Sequence, residues 1–368
     1  MSETKIVDTD TLVDWLENKK PISILDVRPI AERSEWFIPE SLHYDAYTKL
    51  AAKDPSALLG VHLDKKIPVV TVCAAGKTSR VAAEQLMRQG YEAYSLKDGM
   101  KGWSLAWNKA ILSFENYQIV QLRRTGKGCL SYIINAGKDA IVIDASLPVE
   151  IYEDILRQND WQVKAVMETH IHADHLSRSK QLADHLSAPL LLPPCDKVSF
   201  SYEKIEDGQT IRLAQISIKV IATPGHTMES VCFLINDKVL LTGDTIFVNA
   251  IGRPDLKANE EEAKRRAGLL YDSLQKIMQL HDNVIILPAH TSSPVDFDGK
   301  PVKAFLSEVK DNVAVLNLSR DSFIKTILQN LPPAPANHLT IVEKNLSGNM
   351  SDINPSELEV GANRCAVS

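Results

Sequence analysis

The sequence predicts an α/β protein in two parts: a small parallel sheet with helices on its faces, then a four-layered αββα sandwich. Three observations carry this expectation. Residues 1–110 alternate short β-branched runs with a clear helical stripe, the pattern of parallel β/α units. From Tyr117 onward the runs become closely spaced strands in two successive sets, each with helices outside it. In both parts the residues able to do chemistry fall at the C-terminal ends of strands, where open sheets gather ligands.

In the first part, Ile22–Val27 and Pro68–Val72 read as strands. A helix from Thr78 to Gln89 carries Val81, Ala82, Leu86 and Met87 on one face, and Gly90 closes it. Tyr91–Leu96 returns as a strand. The pattern lapses around Trp107 to Glu115, so a linker is expected at 111–116, with the second domain at 117–345. There, strands are expected at Ile119–Leu122, Cys129–Ile134 and Ala140–Asp144, and a helix-then-strand unit ends at Ala165–Glu168. Further strands follow at Gln209–Leu213, Ile216–Ala222, Ser230–Ile235 and Val239–Thr242, then a helix at Glu260–Leu280 and a strand at Asn283–Leu287. The tail, 346–368, is rich in Ser, Asn and Gly and is expected to be loosely ordered.

At 368 residues the chain is too long for one ordinary core. A net charge of −6 argues against a nucleic-acid partner, whose phosphates demand a basic face. No apolar run is long enough to span a bilayer, and the opening residues Met1 to Lys5 lack the basic-then-apolar layout of a signal peptide. Five widely spaced cysteines, an odd number with no CxxC, suit a reducing compartment, so a cytoplasmic protein without membrane or nucleic-acid partners is expected.

The strongest chemical signal is Thr169-His170-Ile171-His172-Ala173-Asp174-His175, directly after a buried-looking strand. Three histidines and a carboxylate so close together cannot share one side of a regular element, but a loop can turn several toward one point. Thr223-Pro224-Gly225-His226-Thr227, Leu241-Thr242-Gly243-Asp244-Thr245 and Pro288-Ala289-His290 add two histidines and an aspartate, again at strand ends. Imidazole and carboxylate together suit first-row transition metals. A lone loop histidine is a surface or core residue far more often than a ligand, and His43, His62, His185, His281 and His338 are read that way.

HxHxDH, TPGHT, TGD and PAH in this order resemble the metallo-β-lactamase superfamily across about residues 117–310. Within it, Thr242–Phe247 followed by Gly252-Arg253-Pro254-Asp255 resembles the persulfide dioxygenases. That resemblance implies one Fe(II) per chain, held by His170, His226 and Asp244, with Arg253 binding the substrate's carboxylate through paired hydrogen bonds. Two histidines and a carboxylate on one face of Fe(II) leave up to three positions, enough for a sulfur and O₂ together. His172, Asp174, His175 and His290 then orient the ligands, or, in a glyoxalase II-like thioester hydrolase, complete a site for two Zn(II) ions. The ligand inventory does not separate these readings. One departure stands out: many family members continue PAH with Asp-Tyr, whereas Thr291-Ser292-Ser293-Pro294 follows here, leaving the identity of the small thiol open.

Cys73 follows the Pro68–Val72 strand and opens the next helix. Successive backbone N–H groups and the helix's positive end are thereby aimed at its sulfur, a cradle that favours the thiolate. Ala74, Ala75 and Gly76 let the loop curl, Lys77 adds charge, and Thr78 completes it. This six-residue loop resembles that of the rhodaneses. So do Asp26-Val27-Arg28 with Glu32 to Trp36, and Leu96 to Trp103, so that residues 5–109 are similar to that family. Trp36-Phe37-Ile38-Pro39-Glu40-Ser41 replaces the usual Gly-His-Ile-Pro-Gly-Ala, implying altered local packing, and Ala74 stands where arginine is frequent, implying weaker hold on an anionic donor.

The two resemblances together imply a persulfide dioxygenase. A low-molecular-weight thiol persulfide, O₂ and water yield thiol and sulfite, while Cys73 exchanges sulfane sulfur with thiosulfate, sulfite or the same thiol. A homo-oligomer, in the first instance a dimer, is expected. The alternatives are the two-zinc hydrolase and a non-catalytic metal-binding scaffold.

Overall fold

A computed structural model describes residues 4–351, 353–359, 361 and 363–367. Met1–Glu3, part of the signal-peptide argument, and Asp352, Val360, Ala362 and Ser368 of the tail lie outside the described residues.

The first domain is a five-stranded, all-parallel sheet. Its elements are β1 (Lys5–Val7), α1 (Thr9–Glu17), β2 (Ser23–Asp26), α2 (Ile30–Glu35), β3 (Leu42–His43), α3 (Tyr47–Ala51), β4 (Val69–Val72), α4 (Lys77–Arg88), β5 (Ala93–Leu96) and α5 (Gly99–Trp103), with strand order β1-β5-β4-β2-β3. β4 is central and buried throughout, as the run Val69-Val70-Thr71-Val72 requires of a strand covered on both faces. Cys73 therefore emerges from the middle of the sheet.

The second domain is the αββα sandwich. β6 (Asn108–Ser113), β7 (Gln118–Arg124), β8 (Cys129–Ala136), β9 (Asp139–Ile143), β10 (Gln162–Met167), β11 (Leu190–Leu192) and β12 (Glu203–Lys204) form one sheet in that spatial order. β13 (Thr210–Leu213), β14 (Ile216–Ala222), β15 (Val231–Ile235), β16 (Val239–Leu241), β18 (Ile285–Leu287) and β19 (Ala304–Phe305) form the other; β17 (Ile251–Gly252) stands apart. Ile119, Tyr132, Ile134 and Ile143 from the first sheet pack against Phe233, Ile235, Leu241 and Leu287 from the second. Outside the first sheet lie α6 (Val149–Gln158) and α7 (Ser179–Leu186). Outside the second lies α8 (Glu260–Met278), whose Asn259 cap accepts a hydrogen bond from the Glu262 N–H and whose first turn carries three glutamates.

Two expectations need correcting. The first half of the linker placed at 111–116 falls on β6, an edge strand, and the connection is the short turn that follows Ser113. Asn108, Ala110 and Leu112 point inward while Lys109, Ile111 and Ser113 face solvent, so only two of six positions bury apolar side chains and the run reads weakly in sequence. The tail is also docked rather than loose. Glu359 is fully buried against Arg124, Lys101 pairs with Glu357, Arg364 with Glu35, and β20 (Ala366–Val367) pairs with β17. Its polar composition hid this, because polar and charged contacts to distant residues supply most of the docking.

The domains meet over the turn Thr125–Gly128. Trp36 is buried there, its indole N–H donating to the Thr125 carbonyl at 2.9 Å, and a Cβ on Gly128 would come within 2.9 Å of the ring. The replaced Gly-His-Ile-Pro segment thus serves as an interdomain plug. Among the described residues, no helix is long and apolar enough to cross a membrane.

Candidate metal centre and sulfur-carrying loop

The chain leaves β10 through Glu168 and Thr169 into the histidine-rich loop. Asp144, at the end of neighbouring β9, accepts from the Thr169 N–H and from its hydroxyl, each at 2.8 Å. With its proton committed, the Thr169 oxygen accepts from His170 Nδ1–H at 2.9 Å, which leaves Nε2 as a bare lone pair. His226 reaches the same point from the turn after β14, its Nδ1–H donating to the Arg253 carbonyl at 2.8 Å. Asp244 follows β16 and Gly243, where φ is +51° and an added Cβ would strike Thr169 Oγ1 at 2.7 Å.

These elements bring His170, His226 and Asp244 together with donor atoms within 4.8 Å of one another. Asp244 Oδ2 lies 3.8 Å from His170 Nε2 and 3.5 Å from His226 Nε2. His170 Nε2 and Asp244 Oδ2 are buried and have no hydrogen-bond partner. Orphaned buried polar atoms are costly unless something binds them, and the donor set fits a divalent transition metal. Burial, reinforced by neighbouring histidines, drives the His170 pKa well below its ordinary value, so the imidazole stays neutral as a ligand must. Burial alone would raise the Asp244 pKa; the charge and hydrogen bond of His290, with His170 and His226, hold it below the usual carboxylate range instead.

The other four residues divide. His290 Nδ1 contacts the second oxygen of Asp244 at 2.5 Å, so that carboxylate offers only Oδ2 to an ion. His290 Nε2 lies 2.7 Å from Asp174 Oδ2 without an aligned hydrogen bond, and His175 Nδ1 contacts Asp174 Oδ1 at 3.1 Å. His172 stands aside, its Nε2 3.3 Å from Asp144 Oδ1. Asn345 clamps this loop by donating to the His172 and His175 carbonyls.

Sequence reasoning missed two thiols. Cys129 packs against Asp174, His175 and His290. Burial alone would push its pKa up, yet His175 and His290 bring it down to about 7. Cys365 from the tail lies with Asp244 and His290, and Asn363 beside it donates to Asp174. Each depends on a contact distant in sequence, so no local signal marked it.

Arg253 is buried, and its guanidinium is engaged. It forms a fork with Asp255 at 2.7 and 2.8 Å and donates to the Pro332, Pro333 and Arg364 carbonyls. The structure thus makes it a brace that fixes the His226-binding carbonyl and the tail, with no donor turned to a substrate. Two clefts approach the centre. One, about 440 Å³, is lined by His226, Ile171, Leu256, Val342, Lys197 and Lys257. The other, about 290 Å³, is lined by His290, Thr291, Ser292, Phe247 and Asn363.

In the first domain, Gly76 takes φ of +77° and α4 begins at Lys77. A Cβ on Gly99 would sit 2.1 Å from the Cys73 carbonyl, so the loop lies directly on α5, which donates to the Cys73 and Ala74 carbonyls. Burial raises the Cys73 pKa, but hydrogen bonds from the Ser79 and Thr78 hydroxyls and from the Ser79 and Ala75 N–H groups outweigh it and hold the thiol below its ordinary value. A cleft of about 430 Å³ opens on it between Tyr47, Leu50, Val81, Lys53 and Lys77.

Comparison with known proteins agrees with the pairing of the two domain types. Residues 8–106 match the rhodanese-like domain and residues 124–290 the metallo-beta-lactamase superfamily. A hydroxyacylglutathione hydrolase of Francisella philomiragia is 29% identical over 55% of this chain and 86% of its own length. The crystal structure of ETHE1 from Myxococcus xanthus superposes with a TM-score of 0.52 at 27% identity, over 61% of this chain and 95% of that one. A metallo-beta-lactamase from Staphylococcus aureus shares the fold, with a TM-score of 0.57 at 24% identity over 67% of this chain and 74% of its own.

Proposed function

For a chain that joins a rhodanese-like domain to a metallo-β-lactamase-superfamily domain, we propose persulfide oxidation coupled to sulfur transfer. The metal centre would convert a low-molecular-weight thiol persulfide, O₂ and water to thiol, sulfite and two protons. The sulfane sulfur, oxidised by four electrons, leaves as sulfite when its S–S bond breaks, and O₂ is fully reduced.

Asp244 is the observation that carries the reading. One oxygen faces His170 and His226 while the other is capped by His290. Two imidazoles and a single carboxylate oxygen form the facial set suited to non-haem Fe(II), which when bound supplies open positions for a sulfur and for O₂. Thr169 and the Arg253 carbonyl hold the two imidazoles in the required tautomer, and Asp144 fixes Thr169. The buried surroundings exclude water from the ligands.

At Cys73 the step needs no metal. A persulfide on Sγ passes its outer sulfur to an attacking thiolate or sulfite; one S–S or S–S(sulfite) bond forms as the Cys73 S–S bond breaks, and the thiolate left behind is stabilised by the loop. Thiosulfate, running the reverse exchange, is a donor.

A two-zinc thioester hydrolase is the second reading, favoured by likeness to the hydroxyacylglutathione hydrolase. Against it, the Asp244 oxygen that would bridge two ions is taken by His290. Oxygen uptake by the iron-loaded protein given glutathione or coenzyme A persulfide tests the proposal, with Cys73→Ser expected to lose sulfur transfer and keep the uptake. Absence of uptake, together with S-lactoylglutathione hydrolysis by a two-zinc form, would replace it.

A further inference from the structure

His170, His226 and Asp244 are each 2% exposed or less, so the metal set is closed to solvent. On the Asp244 side the closure comes from the tail. Cys365 is buried, and its sulfur shares a cluster with Asp244 and His290 in which the donor atoms lie within 4.8 Å of one another. Asp244 Oδ2 and His290 Nε2, both buried, have no hydrogen-bond partner. Asn363 donates to Asp174 Oδ2 at 3.1 Å and accepts from the Cys365 N–H at 2.8 Å. The cleft of about 290 Å³ is walled at this end by His290, Asn363 and Ala366. Asn363–Val367 thus stands between that cleft and Asp244.

The seat of this segment is β17. Ile251 pairs with Val367 and Gly252 with Ala366. A Cβ on Gly252 would lie 1.8 Å from the Asp244 carbonyl oxygen, so β17 presses on the turn that carries the ligand. A strand seated on β17 therefore carries its cysteine over Asp244. The Arg253 N–H donates to the Cys365 carbonyl at 3.0 Å, and Phe247 and Ala250 pack on the thiol. The hold is short, two register pairs against the seven between β7 and β8. Upstream the chain turns at Gly361, whose φ of +96° suits glycine and where, among the described residues, an added Cβ would meet nothing within 4 Å. The Lys127 ammonium holds the Gly361 carbonyl at 3.0 Å and fixes that end. A short ladder beyond an anchored, unobstructed glycine opens locally before its domain unfolds.

We propose that Asn363–Val367 is an autoinhibitory strap, which keeps the Cys365 thiol where an incoming sulfur must sit and lifts off β17 to admit it. Seated, the strap sets a protein sulfur beside Asp244 and closes the inner end of the cleft. Lifted about Gly361, it joins the cleft to the ligands and takes its sulfur away. That the admitted guest is a small-thiol persulfide rests on the dioxygenase reading; the closure itself does not. The strap is also tied to the first domain, where Arg364 pairs with Glu35 at 2.9 Å. Glu35 and Ala74 of the sulfur-carrying loop line one interdomain cleft of about 300 Å³, so the sulfur-transfer domain has a direct hold on the strap.

Thiol trapping on the full-length protein tests this. In metal-free protein, N-ethylmaleimide labelling read by peptide mass spectrometry reports the opening of each cysteine, and Cys232, wholly buried in β15, reports global unfolding. Cys365 should label at least about tenfold faster than Cys232. Val367→Asp, which puts a charge into an apolar seat, should speed Cys365 labelling by about tenfold or more and leave Cys232 unchanged. In zinc-loaded protein the same variant should hasten removal of the metal by a chromogenic chelator to a similar degree. Cys365→Ala keeps the ladder and removes only the sulfur, so it should hasten chelation by less; it decides the matter if the aspartate variant does not fold. With iron, Val367→Asp should lower the KM for a persulfide, because the open form no longer has to be drawn from a minor population. Equal labelling of Cys365 and Cys232 in the unaltered protein would overturn the proposal. So would a Val367→Asp protein whose Cys365 labels fast while its metal leaves no sooner. Labelling and chelation decide the strap whether or not any form takes up oxygen, so its failure is distinct from failure of the dioxygenase reading.

Discussion

Replacing Glu359 with alanine should release the segment around it. Glu359 and Arg124 are both wholly buried, with Glu359 Oε2 2.6 Å from Arg124 Nη2. Glu359 Oε1 accepts from the Leu176 N–H at 2.7 Å, and Arg178 lies 4.0 Å away. Truncation leaves the Arg124 guanidinium charged and buried with only the Ser104 and Ser146 carbonyls as acceptors. Removing one partner of a buried ion pair costs about 3–5 kcal/mol. The orphaned Leu176 N–H adds about 1–3 kcal/mol. Lys101–Glu357 and Arg364–Glu35 are partly exposed pairs worth about 0–1 kcal/mol each; beyond them the tail keeps the two-residue β17–β20 ladder, the Arg253 donation to the Arg364 carbonyl, the Asn363 donation to Asp174 and the Lys127 donation to the Gly361 carbonyl. The segment around Glu359 therefore lets go before either domain unfolds, and water reaches Arg124. Hydrogen exchange of residues 356–359 should accelerate by roughly a hundredfold or more, following the 1.4 kcal/mol-per-decade relation. Unchanged protection there would refute the argument. The pH dependence follows the same pair. Burial raises the Glu359 pKa, but Arg124 and Arg178 prevail and bring it below its ordinary value of 4.5. A depressed carboxylate contributes stability that is present above the unfolded pKa and lost as pH falls through the folded one. Docking should thus persist in mild acid and fail only below the ordinary carboxylate range.

Ser79→Ala removes one of the hydroxyls that hold the Cys73 thiol down, so its pKa should climb back toward 9 and the rising limb of the sulfur-transfer pH profile should move to higher pH; an unmoved limb would mean the loop amides do the work alone. Trp36→Gly, which restores the residue usual in rhodaneses, empties the interdomain plug at a cost of about 3–5 kcal/mol by analogy with other tryptophan truncations, and calorimetry should then show the domains melting apart. Arg253→Lys keeps the charge but loses the fork to Asp255 and several carbonyl contacts; it should lower Tm with KM little changed, whereas a selective rise in KM for carboxylated thiols would restore the substrate-binding role.

The ligand residues were legible before folding because each follows a hydrophobic strand, and the end of β10 in one sheet meets the ends of β14 and β16 in the other across the sandwich. His170, His226 and Asp244 follow β10, β14 and β16, and Cys73 follows β4. Local periodicity was enough to place them. β6 was not legible, since an edge strand with three solvent-facing positions carries little hydrophobic signal.

What the sequence determined by itself was the pair of α/β units and the chemical character of their strand ends. Tertiary structure alone decided how the donors are shared out. It gave one oxygen of Asp244 to the first metal set and the other to His290, committed Arg253 to Asp255 and the tail, and brought Cys129 and Cys365 beside the histidines. Each of those assignments depends on contacts between residues far apart in the chain, where a buried polar group takes whichever partner the packed sheets put within reach. No local pattern of residues encodes that choice.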